Sequence, residues 1–97
     1  MNPTKQQLRK LKTTAQNIKP TIQIGKEGLT QGQLERISHE LVHHELVKIR
    51  FNAHKDQKTR LSQEITAKTQ ATQVDLIGNT LVLYKQSPHP EKRKYLI

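Results

Sequence analysis

The chain changes periodicity between Thr21 and Leu34, and that change constrains its fold more than any other feature. Thr21-Ile22-Gln23-Ile24 alternates polar and apolar residues, the period of a half-buried strand. Leu34, Ile37 and Leu41 then recur at the spacing of one helix face, predicting a helix from about Thr30 to His44. Between the two lies Gly25-Lys26-Glu27-Gly28. Its glycines permit backbone angles and close approaches that a Cβ would forbid. The helix start that follows offers unpaired N–H groups and a partial positive charge, and Lys26 adds a full one. This combination predicts a phosphate cradle.

The remaining elements follow from the same two periods. Residues 4–18 read as an amphipathic helix with Thr4 as N-cap and a stripe of Leu8, Leu11, Ala15 and Ile18. Lys5, Arg9 and Lys12 cluster on the flank of that stripe, and Lys19-Pro20 ends the helix. Leu46–Phe51 alternates strictly, with Val47, Ile49 and Phe51 inward and Lys48 and Arg50 outward. Asp56 is expected to cap a third helix running to about Thr69, with Leu61 and Ile65 buried. Strands are expected over 72–77 and 80–85, joined by a Gly78-Asn79 hairpin turn.

The order α-β-α-β-α-β-β implies an α/β fold of the α+β two-layer kind, with a four-stranded mixed sheet. Residues 1–85 form one expected domain. From Gln86 onward two prolines and Lys92-Arg93-Lys94 predict a flexible basic tail over 86–97.

Charge narrows the function. Seventeen Lys and Arg oppose eight Asp and Glu, a net charge of +9. Such an excess drives association with polyanions by releasing their counterions. The chain has no cysteine, which excludes disulfides and thiolate metal sites. It shows neither the apolar run of a signal peptide nor the longer one that spans a bilayer, so a soluble, cytoplasmic protein without membrane contact is expected.

No constellation supports catalysis. Asp56, Glu64 and Asp75 show no pairing pattern for acid–base work, and no serine sits in a nucleophile motif. The glycine loop lacks the second glycine and hydroxyl residue of a Walker loop and the third glycine of a dinucleotide fingerprint. His39 and His43 stand four apart, but Lys48 replaces the second histidine of a His-Glu-x-x-His pattern after His44, and no third metal ligand is evident. No metal, cofactor or small-molecule substrate is expected. Tyr84 is equally suited to stacking a base or filling the core. Modules of the KH type use a comparable loop to clamp a sugar–phosphate backbone.

Four segments, taken in order, resemble one family. Ile18-Lys19-Pro20, then Ile22 to Thr30, then His43-His44-Glu45-Leu46-Val47-Lys48-Ile49, then Ile77-Gly78-Asn79-Thr80-Leu81-Val82-Leu83-Tyr84 are similar to the YhbY/CRM-domain family, over roughly residues 4–85. The resemblance implies an RNA-binding domain similar in fold to the C-terminal domain of the third translation initiation factor. It implies a role in assembly of the large ribosomal subunit, with ribosomal RNA as partner. The family's loop carries over onto Gly25, Lys26, Glu27 and Gly28, and its basic first helix onto Arg9 and Lys12. Leu8 and Asn79 stand where many members have arginine. The expected protein is a monomer whose RNA-binding residues are Gly25, Lys26, Glu27, Gly28, Lys5, Arg9, Lys12 and Lys19. The alternative is an adaptor that docks on a ribosomal protein and touches RNA only incidentally.

Overall fold

The computed structural model describes residues 3–95. Helix α1 (Lys5–Ala15) begins at a reciprocal capping box, in which the Thr4 hydroxyl accepts the Gln7 N–H and the Gln7 side chain accepts the Thr4 N–H. A turn and Pro20 lead into β1 (Ile22–Ile24). Helix α2 (Gln31–His44) follows, with Thr30 as N-cap accepting the Gln33 N–H at 3.1 Å. Then come β2 (Leu46–Phe51), a 3-10 turn (Lys55–Gln57), α3 (Lys58–Thr69), β3 (Thr72–Ile77) and β4 (Thr80–Tyr84). Gly78 takes φ 55° in the β3–β4 turn, as a glycine at the first central position requires.

The sheet order is β1-β2-β4-β3, with β1 parallel to β2 and the other pairs antiparallel. Helices α2 and α3 cover one face. There Ile37, Leu41, Leu61 and Ile65 pack on Ile22, Ile24, Val47, Ile49, Phe51, Leu81 and Leu83. Each such side chain contributes about 1.5–3 kcal/mol when fully buried. On the opposite face Leu11 and Ala15 of α1 cover Leu46, Val74, Val82 and Tyr84. The α+β class, three helices and four-stranded mixed sheet are thus as expected, but α1 adds a third layer over part of the sheet. The reason is that β4 is buried on both sides from Leu81 to Tyr84, which leaves two apolar faces to cover.

One local expectation is corrected, and one open alternative is resolved. Asp56 does not cap α3. His54 turns the chain through a left-handed conformation (φ 56°), Asp56 falls inside the 3-10 turn, and Gln57 precedes the helix without a side-chain cap. Tyr84 is core: it is buried, with the Tyr95 ring set edge-on at 6.4 Å, so it offers no face to a base.

The segment after β4 lies against the domain, where the sequence pattern predicts a flexible tail. Its holding point is Glu45, which is completely buried at the α2–β2 junction and adopts φ 61°. One carboxylate oxygen accepts the Ser87 N–H at 2.8 Å, and the other accepts the N–H groups of Lys94 and Tyr95. The Glu45 carbonyl accepts the Lys85 N–H at 2.9 Å. A buried carboxylate must find donors, and this segment supplies them. Arg93 closes the turn by donating to the Ser87 carbonyl at 2.9 Å. The last two positions of the expected tail lie outside the described residues.

Candidate nucleic-acid interface

Three connections meet at the end of the sheet where β1 and β2 finish. The Ile24 carbonyl accepts the N–H groups of Asn52 and Ala53, and the Phe51 N–H donates to the Asn79 carbonyl at 2.8 Å. Lys58, in the first turn of α3, donates to the Gly78 carbonyl at 2.6 Å and to Asn79 Oδ1 at 3.3 Å. The glycine loop, the β2–α3 connection and the β3–β4 turn are therefore tied into one tip.

Within that tip the glycine loop has a defined shape. The Gly28 N–H donates to the Gly25 carbonyl at 3.0 Å, closing a four-residue turn. Gly28 holds φ 73°, and a Cβ there would lie 3.6 Å from His54 Nε2. A Cβ on Gly25 would meet nothing within 4 Å. His54 Nε2 hydrogen-bonds the Lys26 carbonyl at 2.8 Å and so turns that carbonyl toward the protein. The peptide is trans, which aims the Glu27 N–H away from His54. The Lys26 and Glu27 side chains are both exposed.

Leu29 and Thr30 separate the loop from α2, so the loop does not itself open the helix. The Thr30 hydroxyl occupies the Gln33 N–H, and the Leu34 N–H bonds the Thr30 carbonyl. The N–H groups of Gln31 and Gly32 remain without an intrahelical acceptor, and the first turn of α2 carries no acidic residue.

Cations gather beside the loop. A cleft of about 260 Å³ is lined by Gly28, Leu29, His54, Gln57, Arg60, Leu61 and Glu64. Arg60 of this lining is exposed, as are Lys26 and Glu27 of the loop and Lys55 and Asp56 of the β2–α3 connection. The one carboxylate in this cleft lining, Glu64, is occupied by Lys68 at 2.9 Å and Arg60 at 3.8 Å. Chiefly the Lys68 hydrogen bond, then the charges of Lys68 and Arg60, hold the Glu64 carboxyl below its ordinary range. The sequence pattern did not point to His54, Lys55 or Arg60. Lys55 and Arg60 were visible as cations flanking the start of a helix, but the His54–Lys26 bond joins residues 28 apart and left no local signal.

The other expected residues stand elsewhere. Lys5, Arg9 and Lys12 are exposed on α1, across the sheet from α2 and α3, and Lys19 is exposed in the connection to β1. At the far end of α2, His39 and His43 face each other with ring centroids 4.4 Å apart. The Lys92 ammonium, above all, holds the His43 imidazole below its ordinary value. Among the described residues no three His, Cys, Asp or Glu side chains are placed to share a metal ion, and no helix is long and apolar enough to cross a membrane.

Fold and site together define a small α+β domain that presents a pinned, glycine-flanked loop at a cationic tip. The chain belongs to the CRS1 / YhbY (CRM) domain family, whose model matches residues 4–85. It is 40% identical over 78 residues to an RNA-binding protein of Haemophilus influenzae, an alignment covering 79% of each chain. It is 30% identical over 90 residues to the "Probable RNA-binding protein PA4753" of Pseudomonas aeruginosa, covering 92% of this chain and 86% of that one. The solution structure of a hypothetical protein from Staphylococcus aureus superposes with a TM-score of 0.79 at 29% identity, covering 98% of this chain and all of the other.

Proposed function

We propose that this protein binds structured ribosomal RNA during assembly of the large ribosomal subunit, as a cytoplasmic monomer without enzymatic activity. The binding unit is the domain over residues 1–85. The observation that carries the reading is the pinned loop: His54 holds the Lys26 carbonyl, which turns the Glu27 N–H away from His54, and the Lys26 side chain is exposed near Gly25, where a Cβ would meet nothing. A phosphate oxygen approaching that surface meets an amide donor and a cation, with no Cβ in its path. Gly25, Lys26, Glu27 and Gly28 hold the backbone through these groups, with Gln31 and Gly32 offering further amides. Lys5, Arg9, Lys12 and Lys19 follow neighbouring phosphates along the α1 side. Such contacts position RNA and carry little base information.

The test is a salt titration of binding to ribosomal RNA. Lys26→Ala lowers affinity and flattens the slope of log K against log salt by about 0.7–0.9 for each phosphate that is no longer neutralised. Parental affinity with an unchanged slope refutes the clamp. Co-purification with ribosomal proteins that survives complete RNA digestion favours an adaptor instead.

A further inference from the structure

The strand register places four side chains in one row across the whole sheet. Gln23 of β1 pairs with Arg50 of β2, Arg50 with Thr80 of β4, and Thr80 with Ile77 of β3. Their neighbours along each strand, Ile22, Ile24, Ile49, Phe51, Leu81 and Leu76, belong to the core under α2 and α3. Alternation therefore turns all four row residues to the opposite face, the one that α1 covers in part. Cover by α1 ends before this row. Along β2, Leu46 lies under the helix, the Lys48 ammonium donates to the Ala15 carbonyl at 2.9 Å at the helix end, and Arg50 is exposed beyond it. Gln23 is also exposed, and Ile77, at 59%, is the only exposed large hydrophobic side chain among the described residues.

The row runs into the tip. Gln23 precedes Gly25 by two residues, and its side-chain carbonyl accepts the Asn52 amide. The strip is thus continuous with the loop on one side and adjoins α1 on the other. At about 4.8 Å between strands its four residues extend roughly 14 Å. It offers an apolar surface at Ile77, a planar guanidinium at Arg50, a hydroxyl at Thr80 and a fixed amide at Gln23. Guanidinium planes and apolar surfaces receive splayed bases, and amides and hydroxyls reach base edges and 2′-hydroxyls. The carboxylate nearest in register, Asp75 opposite Val82, accepts the N–H of Leu76 at 2.9 Å.

We infer that this strip is a second RNA-contacting surface, which receives the bases of an unpaired segment whose backbone is held at the glycine loop. The inference rests on the reading of the loop as a backbone clamp. It supplies what the clamp lacks: contacts that distinguish unpaired from paired RNA. A duplex presents its phosphates to the loop but keeps its bases stacked away from the strip.

The experiment compares two synthetic RNAs, a stem-loop with an unpaired tail and the same stem-loop with a blunt end, by fluorescence anisotropy. Ile77→Ser and Arg50→Lys alter exposed side chains, and Arg50→Lys keeps the charge while removing the planar fork. Each variant weakens binding of the tailed RNA about five-fold, a stacking contact of the weakest usual strength. Neither changes binding of the blunt RNA, and neither changes the salt slope. Lys26→Ala weakens both RNAs. If Ile77→Ser and Arg50→Lys bind the tailed RNA like the parent while Lys26→Ala does not, the strip is refuted and the clamp stands. If both RNAs weaken equally with the strip variants, selectivity for unpaired bases is refuted. If Lys26→Ala also leaves both RNAs unaffected, the clamp fails, and with it the inference built on it.

Discussion

Replacing Glu45 with glutamine tests the account of the C-terminal segment with almost no change in shape. The carboxylate satisfies three backbone donors, Ser87 through one oxygen and Lys94 and Tyr95 through the other. Glutamine keeps one of these oxygens and turns the other into an NH₂ group. In either orientation an NH₂ faces at least one backbone N–H, so a donor meets a donor. If the oxygen faces Lys94 and Tyr95, the buried Ser87 N–H is left without an acceptor. A hydrogen bond to a charged group contributes about 1.5–3 kcal/mol, so the expected destabilisation is about 2 kcal/mol. For a domain of this size that lowers Tm by roughly 8–16 °C. Thermal unfolding followed by circular dichroism gives the first readout. Amide hydrogen exchange gives the second, with Ser87, Lys94 and Tyr95 losing more protection than the sheet amides of β2 and β4, whose loss matches the global destabilisation. An unchanged Tm together with unchanged exchange at those three amides refutes the claim that Glu45 holds the segment.

Further outcomes follow from the same geometry. The Tyr84 hydroxyl is buried without a protein hydrogen-bond partner, so Tyr84→Phe raises stability at neutral pH by about 1 kcal/mol in a denaturant titration. Its phenol is pushed up to about 12, first by burial and then by the Glu45 carboxylate, against a smaller opposing effect of Arg93. Because the folded value lies above the unfolded one, stability contributed by the neutral phenol is intact below pH 10. It is lost as pH rises from about 10 through 12. Unfolding midpoints across that window show a decline that Tyr84→Phe reduces. Gly25→Val leaves Tm unchanged and weakens RNA binding, because its side chain enters open space on the approach path. Gly28→Ala instead costs about 1–2 kcal/mol of stability, since φ 73° is strained for any residue with a Cβ. Thr30→Ala removes the α2 cap and costs about 1 kcal/mol, measured the same way.

Much of the fold is written in short-range pattern. The Val47-Ile49-Phe51 alternation, the Leu34-Ile37-Leu41 stripe and the Gly78 turn each encode an element within a few residues, and each is observed. What pattern does not encode is which elements meet. Nothing local to 80–84 says that β4 lies between β2 and β3, since insertion of a strand is decided by where apolar faces can be covered. The same holds at the site. The residues of the glycine loop are legible, whereas its orientation depends on His54, a polar residue in a polar connection. Asp56 misled because a good capping residue is only a local preference, and the 3-10 turn moved the helix start past it. Glu45, a charged residue at a helix end, carries no local signal of burial. It is buried where the Ser87–Tyr95 segment, distant in sequence, closes over it.

The sheet order carries a consequence for how the molecule is made. β1 and β2 form a parallel pair early in the chain, but a two-stranded sheet is marginal in water. Their stabilising partner, β4, comes after α3 and β3 have been laid down. On a ribosome the central strand pair therefore cannot close until Tyr84 has cleared the exit, and until then one edge of β2 remains unpaired. The domain is acquired in one late step, so a chain halted before β4 is a substrate for chaperones and proteases rather than a partly working protein.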